Sequence, residues 1–309
     1  MHDSHENRKR LLDDPYLAPY ADAVRGRAAH ARARARELTG GKGHLADWAS
    51  AHEYFGLHRT PEGWVFREWA PHATAIWLVG DFSKWQLLPR FKLTRIPGTD
   101  VWERTFPARS IRHEQYYHLE VHWDGGRGER IPAYARRVVQ DPQTKLFSAQ
   151  VWEPKKPYVW KHATCDSRQS TSGGNAPLIY EAHVGMAQEE GKVGSYAEFR
   201  DKILPRIKAA GYNVVQLMAV MEHPYYGSFG YHVSSFFAPS SRFGTPEDLK
   251  SLIDTAHGMG LRVIMDIVHS HAVKNERDGL SLFDGTPYQY FHDGPRGLPS
   301  FDKNPGMIV

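Results

Sequence analysis

Cysteine occurs once in 309 residues, at Cys165, so no internal disulfide framework exists and the chain suits a reducing compartment. No apolar run approaches the ~20 residues of a membrane-spanning helix. The first ten residues, Met-His-Asp-Ser-His-Glu-Asn-Arg-Lys-Arg, have no hydrophobic stretch behind their charges. No membrane partner is expected, and the chain reads as cytoplasmic. Net charge is also small, at +4. Much of it comes from Arg25, Arg27, Arg32, Arg34 and Arg36. At about 100° per residue, Arg25, Arg32 and Arg36 share one helix face while Arg27 and Arg34 lie opposite, so no basic stripe forms and no nucleic-acid partner is expected. Gly40-Gly41-Lys42-Gly43 lacks the Gly-x-x-x-x-Gly-Lys-Ser/Thr spacing of a phosphate loop. Aromatics, by contrast, are plentiful. Nine tryptophans exceed what packing usually needs, and carbohydrate binding is one reason for such a surplus.

Residues 1–50 read as a helical arm, with a helix over 8–38 entered through Asp13-Asp14-Pro15 and closed by Gly40-Gly41. Leu11, Leu12, Tyr16, Leu17 and Tyr20 are expected to pack on something, and the Arg/Ala part to face solvent. Over 51–155 the pattern changes to short β runs, Trp64 to Trp69, Ala75 to Val79, Val101 to Phe106 and Gln115 to Val121, separated by turns such as Gly80-Asp81, Pro97-Gly98 and Asp124-Gly125-Gly126. Strands of this length and spacing predict an immunoglobulin-like β-sandwich. Residues 156–176 end in a small, polar stretch and read as a linker.

After the linker, strand and helix alternate: a strand at Leu178 to Val184, a helix from Ser195 to Ala210, a strand at Asn213 to Leu217, a helix from Thr245 to Met259, and a strand opening at Leu261. Ser195 with Glu198 has the form of a capping box, and Thr245-Pro246-Glu247-Asp248 is a strong helix start. This alternation predicts a parallel sheet with right-handed crossovers, here the first three β/α units of a (β/α)8 barrel over 177–295. Residues 296–309 are too rich in Pro and Gly to continue it and read as a disordered tail.

Leu261 to His271 concentrates the chemistry. Val263-Ile264-Met265 reads as a strand covered on both faces, and Asp266, His269 and His271 then arrive at its C-terminal end, where barrel enzymes place their functional groups. His269-Ser270-His271 also permits a zinc site, but such sites need further ligands from later strands, and no metal or other cofactor is expected.

Several ordered motifs carry a family resemblance. Arg67-Glu68-Trp69-Ala70-Pro71, Leu78 to Phe82 with Trp85, and Arg130 to Ala135 resemble the carbohydrate-binding module 48 that precedes the barrel of 1,4-α-glucan branching enzymes. Tyr180 to Gly185, Met221-Glu222-His223 and Ser228 to Tyr231 are similar to the first barrel segments of those enzymes. Asp266 to His271 looks like the first signature of the α-amylase superfamily (glycoside hydrolase family 13). The resemblance implies a retaining enzyme of glycogen biosynthesis that cuts an α-1,4-glucan and rejoins the piece through a 6-hydroxyl, with glycogen, amylose or amylopectin as partner. Retention needs two carboxyl groups about 5–5.5 Å apart. In the family these follow later strands, and the Arg-x-Asp nucleophile segment is not in this sequence, so no catalytic residue is assigned and the chain alone is expected to be inactive. The alternative is a non-catalytic glucan-binding protein.

By resemblance Tyr231 stacks on a sugar ring, Asp266 and His271 hold its hydroxyls, and His223 and Glu222 line the same cleft. Ser270 stands where calcium-dependent relatives carry an asparagine ligand, so no calcium is expected. On the sandwich, Trp77 and Trp85 are the expected glucan platforms, with Trp102 and Trp123 as lesser candidates. A half barrel exposes a strand edge and apolar surface, so self-association, or complementation by a missing C-terminal part, is expected.

Overall fold

The computed structural model describes residues 14–162, 176–287 and 289–291. Cys165, most of the linker and the tail lie outside them. Two compact units divide between Tyr54 and Phe55.

In the first unit, helix α1 (Ala21–Leu38) is preceded by a single 3-10 turn, Ala18–Tyr20, so the helix expected from residue 8 begins 13 residues later as far as it is described. The Asp14 carboxyl accepts from the Tyr16 and Leu17 amides and makes a turn there. Tyr16, Leu17 and Tyr20, expected to pack, are exposed instead. The five arginines are exposed as expected, with Arg25 paired to Asp22 at 2.8 Å and Arg34 to Glu37 at 2.6 Å. Leu11 and Leu12 lie outside the described residues.

The second unit opens with the sandwich. One sheet has the order β1 (Gly56–Thr60), β2 (Gly63–Trp69), β5 (Val101–Pro107), β4 (Thr94–Arg95). The other has β3 (Ala73–Gly80), β6 (Tyr116–Trp123), β9 (Phe147–Gln150), β8 (Val138–Gln140), with β7 (Gly126–Arg130) also paired to β6. All described pairings in the sandwich are antiparallel. Phe66, Ile76, Leu78 and Leu119 are fully buried between the sheets. Trp102 belongs to this core, its indole N–H donating to the Ala70 carbonyl at 3.0 Å, which removes it as a platform.

Next come β10 (Ile179–Ala182), β11 (Val214–Leu217) and β14 (Arg262–Met265), a parallel three-stranded sheet in the order β10-β11-β14. Helix α2 covers 196–209. Its capping box is present, Ser195 Oγ accepting from the Glu198 amide while Glu198 accepts from the Ser195 amide. A π turn, Phe199–Ile203, interrupts it ahead of Pro205, whose missing N–H and ring bulk break the regular ladder. Helix α3 (Pro246–Gly258) presents Leu249, Leu252, Ile253 and Ala256, spaced i, i+3, i+4, i+7, to the sheet core, and ends at Gly260 with φ 71°. A small antiparallel pair, β12 (Met221–Glu222) and β13 (Ser235–Pro239), lies between.

Two features depart from the expected picture. Ile264 and Met265 are 43% and 44% exposed, so β14 is not covered on both faces; it is an edge of the described sheet. After β14 the chain packs into the sandwich core: Ala272, Leu280, Phe283 and Phe291 are buried there. Arg130 fixes it, Nε donating to the Phe283 carbonyl at 3.1 Å and Nη2 to that of Leu282 at 2.8 Å. Buried Asp284 accepts from the His72 amide at 3.0 Å and from the Thr286 amide and hydroxyl. Burying Phe283 alone contributes about 2–3 kcal/mol.

Candidate functional site: a strand-end cluster and a sandwich groove

The C-terminal ends of the parallel strands bring Asp266, Tyr231 and His271 together. The Asp266 amide donates to the Leu217 carbonyl at 3.0 Å, which extends the ladder by one residue beyond β14. Its Oδ1 accepts from Gln216 Nε2 at 2.8 Å and its Oδ2 from the Tyr231 hydroxyl at 2.6 Å. Burial, then the bond to Asp266, pushes the Tyr231 phenol up to about 12. His271 Nε2 lies 2.8 Å from the Tyr231 carbonyl, which can only accept, so this nitrogen carries the proton. Ser270 Oγ is then the donor to Nδ1 at 2.9 Å. Tyr231 is thus held at both ends, by Asp266 and by His271.

The loop that presents Tyr231 depends on backbone few residues adopt. Phe229 has φ 56° and Gly230 φ 89°, and a Cβ at Gly230 would lie 1.9 Å from the Ala219 carbonyl oxygen. Only glycine fits there.

Glu222 and His223 are fully buried. Glu222 accepts from the Ser241 amide at 2.7 Å and hydroxyl at 2.8 Å, from Ser240 Oγ at 3.2 Å and from the His223 amide at 3.1 Å. It ties the loop before α3 to β12, and this interior post replaces the expected place on the cleft lining; burial pushes its carboxyl up. His223 Nδ1 donates to the Met221 carbonyl at 2.9 Å, leaving Nε2 buried with no partner among the described residues. Burial drives this imidazole down to about 4. His183, just past β10, is 6% exposed, with neither ring nitrogen bonded to any of the described residues, and lies among Tyr226, Phe229 and Phe243. Neither Gln216 nor His183 stood out in the sequence: the first is one polar residue in an apolar strand, and the second sits inside a quoted motif without a role.

His269 is exposed, and among the described residues no group of three or more His, Cys, Asp or Glu is placed to hold a metal ion.

The sandwich carries a groove of about 410 Å³ on the β6-β9-β8 sheet. Trp85, 45% exposed, stands at its edge with φ 60°, its indole N–H donating to Asp81 Oδ1 at 3.0 Å and its ring 5.2 Å from that of His118. Asp81 Oδ2 accepts from the Tyr116 amide at 2.8 Å, which locks the Trp85 turn to β6. Trp77 is differently placed: the Lys92 ammonium lies 4.8 Å from its ring and the His122 ring 4.9 Å away, so its aromatic surface is in use. Trp123 is likewise covered, by the Arg130 guanidinium at 5.0 Å.

The carbohydrate-binding module 48 (isoamylase N-terminal domain) family matches residues 54–142, and the α-amylase catalytic domain family matches residues 188–286. The chain therefore carries a module 48 domain followed by an α-amylase-type domain, built here as a sandwich and part of a barrel. Over nearly its whole length it corresponds to the N-terminal part of proteins named 1,4-α-glucan-branching enzyme. It is 44% identical over 292 residues to that of Rhizophagus irregularis, covering 92% of this chain and 41% of the relative, and 43% identical over 300 residues to that of Dictyostelium discoideum, covering 94% and 43%. The chain thus spans about two fifths of the length of these relatives. Among solved structures, a pullulanase from Bacillus acidopullulyticus superposes with TM-score 0.62 at 18% identity, covering 82% of this chain and 34% of that one. A pullulanase from Paenibacillus barengoltzii superposes with TM-score 0.61 at 20% identity, covering 88% and 47%. These two show the fold. No helix among the described residues is long and apolar enough to cross a membrane.

Proposed function

We propose that this chain is the α-glucan-holding, N-terminal part of a 1,4-α-glucan branching activity. The observation that carries the reading is Tyr231, held between Asp266 and His271 at the ends of parallel strands. A tyrosine face suits the apolar C–H patches of a pyranose. Each Asp266 oxygen, already accepting one bond, keeps a lone pair for a sugar hydroxyl. His271 acts by fixing the Tyr231 backbone. Cleavage with retention requires a nucleophile and an acid/base carboxyl about 5–5.5 Å apart. We assign that pair to the part of the relatives that lies beyond this match.

Trp85 supplies a second glucan platform on the sandwich, away from the strand ends. The open sheet supplies the surface for association: Ile179, Ile264, Met265 and Ile267 are each at least 43% exposed. Further strands, from another copy or from a complementing polypeptide, would cover them. The same reading places the chain in the cytoplasm, with glucan stores and a reduced Cys165.

Retention on amylopectin, combined with an amylose iodine-staining assay, tests the proposal. The purified chain is expected to bind amylopectin and leave the blue colour intact. No retention would remove the glucan reading, and bleaching would show that the chain itself carries the chemistry. Size-exclusion chromatography is expected to show association, and a sharp monomer peak would count against it.

A further inference from the structure

We infer that the Trp85 groove is a composite glucan site completed by Arg277, a residue of the segment that follows the third barrel strand. The inference rests on the glucan reading of the groove. Trp85, Tyr116, His118 and Glu129 line it and fall within the module match of residues 54–142; Arg277 lines it too and falls within the amylase match of residues 188–286. The module alone does not encode the site.

Arg277 is held in place from three directions. Its Nε donates to Glu129 Oε2 at 2.7 Å, its Nη1 to the Phe147 carbonyl at 2.5 Å, and its own carbonyl accepts from the Ile131 amide at 2.8 Å. The other Glu129 oxygen faces His118 Nε2 at 3.7 Å, and the His118 ring lies beside Trp85. Among the described residues no group accepts from Arg277 Nη2, and the side chain is 28% exposed. A fixed planar fork with three N–H donors to spare, lining the same groove as a half-exposed indole, suits a glucan chain. The indole takes a C–H face, and the fork donates to ring hydroxyls. A pre-positioned guanidinium has already lost its side-chain freedom, so its contribution to binding is not offset by ordering.

Fluorine NMR on the full chain labelled with 5-fluorotryptophan tests this, with maltoheptaose as probe and the Trp85 line assigned by Trp85→Phe. In the parent chain the Trp85 line moves and saturates as sugar is added. In Arg277→Ala the titration midpoint is expected to rise about ten-fold, as for loss of a charged hydrogen-bond donor. Arg277→Lys keeps the Ile131–Arg277 backbone bond and the Arg130 contacts that dock the segment, yet lacks the fork; its midpoint is expected to rise as well, with an unchanged melting temperature. A Trp85 line that titrates at the parent midpoint in Arg277→Lys overturns the inference and leaves the groove a property of the module. A line that does not move in the parent overturns the glucan reading of the groove and the role of Arg277 with it.

Discussion

The Tyr231 hydroxyl donates to Asp266 Oδ2 at 2.6 Å, joining the loop after β12 to the end of β14 across 35 residues of sequence. This bond orients the ring that would face a sugar, so the two residues act as a unit. Tyr231→Phe keeps the ring and loses the bond, and is expected to weaken maltoheptaose binding in the cleft by less than ten-fold. Tyr231→Ala loses the apolar face too and is expected to exceed ten-fold. Calorimetric titration in a Trp85→Ala background isolates the cleft; equal losses for both variants would show that the ring face contributes nothing.

Gly230→Ala should act on the same unit through the backbone. Its Cβ meets the Ala219 carbonyl oxygen at 1.9 Å in a residue already at φ 89°. The loop has to move, at a cost of at least ~1 kcal/mol. A lower urea midpoint together with weaker sugar binding is expected, and a midpoint identical to the parent's would mean that the loop tolerates the side chain.

The buried His223 sets a pH dependence. Its folded value of about 4 lies below the ordinary 6.5, so between those values the unfolded chain binds a proton that the folded chain refuses. Stability from this group is fully present above about 6.5 and falls as pH drops toward 4, by at most ~3 kcal/mol. His183, also lowered by burial, adds in the same direction. Urea titrations from pH 7 to 4.5 are expected to give a shallower loss in His223→Gln than in the parent; parallel slopes would contradict the assignment.

Trp77 and Trp85 should separate cleanly. Trp77, with Lys92 and His122 against its ring, serves packing, so Trp77→Ala is expected to lower the melting temperature and spare amylopectin retention. Trp85→Ala is expected to do the reverse, with retention weakened about ten-fold. Affinity electrophoresis beside thermal melts reads both, and a loss of retention in Trp77→Ala would restore it as a platform.

The contrast between those tryptophans marks what sequence can tell. The short run Ala75 to Val79 and the turns around it were enough to place a strand, because strand preference and turn chemistry are local. The capping residues Ser195 and Thr245 fixed helix starts for the same reason. The motif around Asp266 pointed to the strand-end cluster of Asp266, Tyr231 and His271. What covers a side chain is not local: Lys92 over Trp77, the Ser240-Ser241 loop on Glu222 and the sandwich on Phe283 are contacts between distant segments, which a pattern in one strand does not encode. The strand Arg262–Met265 is the plainest case. An apolar run signals that a strand has partners on its faces in a completed sheet, whereas the described sheet leaves Ile264 and Met265 partly bare.

Phe283 and Phe291 in the sandwich core set an order for synthesis. The last strand of the sandwich ends at Gln150, yet the core is closed by side chains about 140 residues further along (Gln150 to Phe291). At translation rates of ~5–20 residues per second, the emerging sandwich waits roughly 7–28 s for its final plugs. During that interval Arg130, which later holds the Leu282 and Phe283 carbonyls, has no carbonyl from that segment to bind, and the hollow they fill stays open to the surroundings of the ribosome.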